Sequence, residues 1–323
     1  MDTSQSNIPF GPGKAYREGI SLIELFEMFP DEDSAVKWFE SLRWPDGERE
    51  CPRCWSTRTS EVPNEKPMPY WCSDCRKYFS LKTGTAMERS KIPLRKWVIG
   101  IYLMTTSLKG VSSMKLRRDL DLSQSSAWFM AQRIREGWRV DQHALFDGPV
   151  EADEVYIGGR PRRKGQSKRG RGTDKVAVIG IWDRSTSTVH AEPAENLGKA
   201  YLHDFIRSRT WPDAPIYTDE WPGYKGVSPF HETVRHRANE YARGEVHVNT
   251  LEGFWSMLRR GFHGVYHHWS KKHMARYVRE FSGRFNYREH DTEVQMQLIA
   301  LGMVGRRSTY RDLVGKPETR LNR

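Results

Sequence analysis

No stretch of the sequence approaches the roughly 18 consecutive apolar residues of a membrane-spanning helix, and the opening segment MDTSQSNIPFGPGK has no apolar core of the kind that marks a secretory signal. The expectation is a cytoplasmic chain with no membrane association. Cysteine is scarce as well: there are 4 in 323 residues, all between positions 51 and 75. So few thiols, so tightly grouped, exclude a disulfide framework spread over the fold and favour a metal site in a reducing compartment. Acidic residues are outnumbered, 41 against 52 Lys and Arg, for a net charge of +11. That balance points to a polyanionic partner, with nucleic acid first among the candidates. Aromatics are plentiful, with 12 Trp, 13 Tyr and 13 Phe, which excludes a disordered chain and predicts folded cores. The length suits two or three domains.

Residues 1 to about 18 are polar and carry Gly and Pro, as poorly ordered termini do. Ser21 to Leu42 has apolar residues at helical spacing on both sides of Pro30, with Asp31 to Ser34 as the cap of the second helix. Next come CPRC at 51–54 and CSDC at 72–75, 17 residues apart. Two such knuckles around a β-hairpin match a tetrahedral zinc site with Cys51, Cys54, Cys72 and Cys75 as ligands. Four thiolates leave no position open for substrate, so this zinc is expected to be structural. Tyr70, Trp71, Tyr78 and Phe79 are expected to form the ribbon's small core.

From Ile92 to Trp138 the pattern is helical: Pro93 to Ser107, Ser112 to Leu120, a turn at Asp121-Leu122-Ser123, and Gln124 to Trp138 with Ser123 as N-cap. Helix, short turn, helix fits both a DNA-reading helix-turn-helix and an ordinary helical hairpin; the adjacent ribbon and the basic balance favour DNA recognition. Asp147-Gly148-Pro149 marks a boundary, after which the pattern turns to mixed α/β.

Val150 to Gly159 (VEADEVYIGG) reads as a strand with Glu151, Asp153, Val155 and Ile157 on one side. Further strands are predicted at Lys175 to Trp182, Thr188 to Pro193, Pro215 to Asp219 and His231 to His236, with a helix at Gly198 to Arg209 and Asp183 as a turn residue. Arg160 to Lys175 holds eight Lys and Arg against one acid, which suits a solvated loop or a phosphate-binding arm. A late helix from about His247 places Val248, Leu251, Trp255, Leu258 and Phe262 on one stripe, and Asn249, Glu252, Ser256, Arg259 and His263 on another. Ser270 to Tyr287 reads as a basic amphipathic helix that closes the fold or touches DNA, Thr292 to Met303 as one more helix, and the last twenty residues as a polar tail. The order strand, strand, strand, helix, strand, late helix is that of a ribonuclease-H-like domain. Asp153 and Asp219 at strand ends with a helical Glu252 are the parts from which a two-metal phosphoryl-transfer site is built.

CPRC, YWCSDCRKYFSLKTGT, VEADEVYIGG, YTDEWPGY, HVNTLEGFWSMLRRGFHGVYHHWSKKH and YVREFSGRFNYR together resemble the bacterial insertion-sequence transposases that join an N-terminal zinc ribbon to a DDE-type, ribonuclease-H-like domain. The resemblance implies Asp153 and Asp219 as the first two catalytic acids and Arg259 as a basic residue that holds a terminal phosphate. Members differ in whether Asn or Glu takes the third position, and both Asn249 and Glu252 are present here. Glu252 is favoured because an anionic oxygen holds a hard cation better than an amide does, with Asn249 as an auxiliary ligand.

The implied cofactors are two magnesium or manganese ions and one structural zinc. The implied partners are double-stranded DNA, as terminal repeats and target, and further copies of the chain in a homo-oligomer on DNA. The implied layout is a helical lead-in with a disordered N-terminus at 1–45, the zinc ribbon at 46–88, a helix-turn-helix-like region at 89–147, the transposase domain at 148–290 and a C-terminal helix and tail at 291–323. A non-catalytic DNA-binding protein and an indiscriminate nuclease are the competing expectations.

Overall fold

The computed structural model describes residues 19–138, 145–158, 175–235 and 242–315. The expectations for residues 1–18, for His236 and for the basic segment Arg160 to Asp174 fall outside these. Helix α1 (Leu22–Met28) opens on a capping box in which the Ser21 hydroxyl accepts from the Glu24 amide and the Glu24 carboxylate accepts from the Ser21 amide. Pro30 separates it from α2 (Glu32–Arg43), which has the expected cap: Asp31 accepts from the Ser34 amide. Strands β1 (Thr59–Glu61), β2 (Tyr70–Cys72) and β3 (Lys77–Phe79) then form an antiparallel sheet in that order. Alternation along these strands turns Tyr70 and Phe79 inward, against Trp44. The same alternation corrects half of the expected ribbon core, since Trp71 and Tyr78 pair with each other on the outer face, 4.6 Å apart.

Helices α3 (Leu94–Thr106), α4 (Ser113–Asp119) and α5 (Gln124–Gly137) follow, with Ser112 and Ser123 as N-caps of the last two. Proline stands at the N-cap of α3 and offers no side-chain acceptor, so the Glu32 carboxylate of α2 accepts from the amides of Leu94 and Arg95 instead. Asp121, with φ of 46°, turns the chain between α4 and α5.

The second sheet contains β4 (Val150–Ile157), β5 (Val176–Asp183), β6 (Thr188–Ala194), β7 (Ile216–Thr218) and β8 (His231–Thr233), with α6 (Lys199–Arg207) between β6 and β7. Its order is β6-β5-β4-β7-β8. The first three strands pair antiparallel, while β7 runs parallel to β4 and β8 parallel to β7. This is the ribonuclease-H-like arrangement expected from the sequence, with β4 at its centre.

Helices α7 (Asn249–Gly261), α8 (Met274–Asn286), α9 (Thr292–Gly302) and α10 (Tyr310–Val314) complete the described chain. One sheet face buries Ile179 and Ile181 against Leu202, Phe205 and Ile206 of α6. The other buries Val155, Ile157 and Val178 against Leu251, Trp255 and Phe281 of α7 and α8. The apolar stripe of α7 is buried at every predicted position. Gly180 lies under the Trp255 indole, where a β-carbon would sit 2.7 Å from the ring.

Helix α8 closes the fold. Its basic residues pair within the chain: Arg276 and Arg279 bond Glu136 of α5, and Arg284 bonds Glu280. Glu280 is fully buried between Arg284 and Arg135 of α5, whose Nε lies 2.7 Å from its carboxylate. Met296, Ile299 and Ala300 of α9, with Met303 at its C-cap, belong to the same core as α2, α3, α5 and the ribbon. Gly137 and Gly302 let α5 and α9 meet backbone to backbone, where a β-carbon on Gly302 would stand 2.2 Å from the Gly137 carbonyl. The expected polar tail is corrected over 304–315. There α10 has a Thr309/Asp312 capping box and a fully buried Leu313, and one apolar anchor in a short helix leaves no periodicity to read.

Candidate active site and metal centre

The four cysteine sulfurs lie within 4.8 Å of one another. Residues in the left-handed region, Trp55 (φ 64°) and Arg76 (φ 53°), follow the two CxxC turns and bend each so that both of its sulfurs face inward. Cys51 approaches Cys75 at 3.7 Å and Cys54 approaches Cys72 at 3.5 Å, and none is in a disulfide. Burial and the crowding sulfurs of Cys54, Cys72 and Cys51 push the Cys75 thiol up to about 12. Four soft donors gathered this closely form a tetrahedral-type site suited to a thiophilic cation. Among the described residues this is the only group of three or more such side chains gathered closely enough to hold an ion.

The second constellation begins on β4. Glu151 and Asp153 project toward α7, on the side shared with Val155 and Ile157. Glu151 is fully buried, and its Oε2 accepts from the Thr250 and Leu251 amides at the start of α7, both at 3.0 Å. Its Oε1 meets the Arg184 guanidinium at 2.9 Å. One step along the strand, Asp153 Oδ2 accepts from the Trp255 indole at 3.0 Å. Glu151 pairs with Tyr217 across the parallel β4/β7 ladder, so the same register places Asp219, just past β7, opposite Asp153. Asp219 also accepts from the Trp221 amide at 3.0 Å. Burial, then the charges of Glu154 and Asp219, push the Asp153 carboxyl well above the usual carboxylate range. The neighbouring Glu154 accepts from the Tyr224 hydroxyl at 2.7 Å.

Asn249 and Glu252 lie exposed on the first turn of α7, and Arg259 lies exposed two turns further along the same polar stripe. The fold therefore brings Asp153 and Asp219 together and sets α7 above them through Trp255. Glu252 and Asn249 occupy the adjoining turn. An all-oxygen donor set in which burial and neighbouring negative charge destabilise the Asp153 carboxylate suits a hard divalent cation, which is the chemistry of magnesium or manganese. Glu151, Arg184 and Trp255 received no role from the sequence. For Glu151 the available signal was an acid on a strand side whose further positions, Val155 and Ile157, are apolar.

Comparison with known proteins shows the family. Residues 146–286 match the model of the ISXO2-like transposase domain, and residues 30–78 match a transposase zinc-ribbon domain. A protein of the transposable element ISH50 of Halobacterium salinarum is 31% identical over 279 residues, which span 79% of this chain and 91% of that one. The chain belongs to the ISXO2-like transposase family.

An uncharacterized transposase-like protein of Haemophilus influenzae is 27% identical over 123 residues, covering 36% of this transposase and 97% of that protein. Two solved structures also align. The Mos1 transposase paired-end complex with left transposon end does so at 12% identity and a TM-score of 0.18, covering 57% of this chain and 78% of that one. A pre-cleavage Mos1 transpososome does so at 14% and 0.20, covering 59% and 74%. Scores this low contribute nothing to the reading of the site. Among the described residues, no helix of the transposase is long and apolar enough to cross a membrane.

Proposed function

We propose that this transposase cuts DNA at the ends of its insertion sequence and joins those ends to target DNA by metal-dependent phosphoryl transfer. The observation that carries the reading is the placement of Asp153, in the middle of β4 and not at its end as the sequence suggests, beside Asp219, just past the parallel β7, beneath α7 and with their charges interacting. Asp153, Asp219 and Glu252 are the proposed holders of two magnesium or manganese ions, and Asn249 is an auxiliary ligand. Bound there, the ions would supply nucleophile activation and charge neutralisation on the attacking and leaving oxygens.

In the cleavage step a water oxygen attacks the scissile phosphorus, the bond to the 3′ oxygen breaks, and a 3′-hydroxyl is released. In the joining step that hydroxyl attacks a target phosphodiester, whose bond to its own 3′ oxygen breaks and leaves a 3′-hydroxyl on the target strand. The side chains orient these reactants and form no covalent bond to them. Arg259, on the exposed stripe with Glu252, would hold a terminal phosphate through charge-assisted hydrogen bonds.

The four cysteines hold a structural zinc in this reading, with the ribbon at 46–88, the helix-turn-helix-like region at 89–147 and the catalytic domain at 148–290. Double-stranded DNA is the partner, bound by a homo-oligomer in the cytoplasm. In α5 only the N-terminal part, at Gln124 and Ser125, is exposed, while Gln132, Arg133 and Arg135 are buried, so DNA reading belongs to that end of the helix.

The test is incubation of the purified full-length transposase with magnesium and labelled DNA from the flanks of its own gene. Nicks at the element ends that depend on the metal are expected. Specific binding with no cleavage in magnesium or manganese would make it a DNA-binding protein only.

A further inference from the structure

Three segments bear the proposed catalytic acids: the middle of β4, the residue just past β7 and the first turn of α7. One step behind all three lies the Glu151–Arg184 pair. Glu151 is two residues before Asp153, and its ladder partner Tyr217 is two residues before Asp219. The amides it accepts from, Thr250 and Leu251, immediately precede Glu252. Arg184 reaches the same point from the β5–β6 turn. Its Nε donates to Glu151 at 3.0 Å, its Nη1 to the Glu245 carbonyl at 2.6 Å and its Nη2 to the His247 carbonyl at 2.9 Å, while its guanidinium covers the Tyr217 ring at 4.8 Å. His247 Nδ1 stands 3.3 Å from the same carboxylate.

A fully buried carboxylate is costly unless its oxygens are satisfied, and here each oxygen meets a different element. Oε2 takes the orphan amides of a helix whose N-cap, Val248, has no side-chain acceptor, and Oε1 takes the guanidinium.

We propose that Glu151 and Arg184 are positioning residues that fix α7 at a set distance from the middle of β4 and the end of β7, and so hold Glu252 against Asp153 and Asp219 for metal binding. This rests on the assignment of those three acids as ligands. Capping alone requires only that a carboxylate meet the free amides of the first turn. This one grips the two amides next to Glu252, on the strand that presents Asp153.

The test is manganese binding by calorimetry to the full-length protein with its ribbon saturated with zinc, together with the metal dependence of cleavage. Glu151→Gln keeps the size but turns a donor toward Arg184. It should weaken manganese binding about tenfold or more, the range seen when supports behind metal ligands are lost, with cleavage partly restored at high metal. Arg184→Gln, on a half-buried residue, should shift both in the same direction by less, and it decides the question if circular dichroism shows that Glu151→Gln does not fold. Lower melting temperatures with unchanged manganese affinity in the folded variants would reduce the pair to a stabilising contact and overturn the proposal. An Asp153→Asn protein that binds manganese like the wild type would instead overturn the ligand assignment itself, and the positioning role with it.

Discussion

The Trp255 indole donates to Asp153 Oδ2 at 3.0 Å and rests on Gly180, so one side chain of α7 both aims a strand carboxylate and sets the helix-to-sheet spacing. Replacing Trp255 by Phe removes a hydrogen bond to an acidic group and should cost about 1–3 kcal/mol. Gly180→Ala forces a β-carbon into the ring and should cost about 1–3 kcal/mol by overpacking. Because Phe lacks the offending second ring, the double variant should be more stable than the sum of the single losses allows. Denaturant melts of the four proteins would show this, and strict additivity would disconnect the two sites.

Asp153→Asn, Asp219→Asn and Glu252→Gln each remove an anionic oxygen at nearly constant volume. Each should abolish strand cleavage of a supercoiled donor while DNA binding in a mobility-shift assay is kept, and Asn249→Ala should be milder. Normal cutting by Glu252→Gln beside an inactive Asn249→Ala would move the third position to Asn249.

Glu280 gives the pH dependence. Burial works to raise its pKa, but the charges of Arg135 and Arg284 outweigh that and hold it below the ordinary 4.5. A carboxyl lowered in the folded state contributes stability that is fully present above 4.5 and is lost as pH falls through the folded value. Melting temperature should therefore drop more steeply between pH 5 and pH 3 in the wild type than in Glu280→Gln. At neutral pH that variant should be about 3–5 kcal/mol less stable, because two buried guanidinium groups lose their counter-charge.

Cys72→Ser should take the zinc content from one per chain to none. A structural zinc supplies local folding energy, so the ribbon should unfold while the second sheet persists. The ribbon core is continuous with α2, α3 and α9, so loosening should extend into those helices, and hydrogen exchange would map how far. A metal-free wild type with four unpaired thiols and a folded ribbon would contradict this.

Neutralising the basic residues of 160–175 should weaken binding to all DNA sequences alike and flatten its salt dependence, as phosphate contacts do. Substituting Gln124 or Ser125 should change which sequence is preferred. Changes at Gln132 or Arg135 should lower stability instead, since both are buried. Binding titrations at several salt concentrations separate these effects.

Much of this was legible because short-range physics wrote it into local pattern. The two CxxC knuckles give the ribbon, the Asp31 cap gives α2, and the buried and exposed stripes of α7 follow from helical spacing alone. Strand order followed from the succession of elements, since a right-handed α6 crossover leaves β7 few places beside β4.

What the sequence left undetermined depends on contacts between residues far apart in the chain. Glu151 reads as one more strand acid until the start of α7, a hundred residues later, brings two amides to it. Arg135 falls within what reads as a DNA-reading helix, yet Glu280 draws it into the interior. The C-terminal α9 reads as an appendage, but Gly137 and Gly302 let it complete the N-terminal core. Periodicity reports which face of an element is apolar. It does not report which distant element covers that face, and buried charges are tolerated only once that partner is in place.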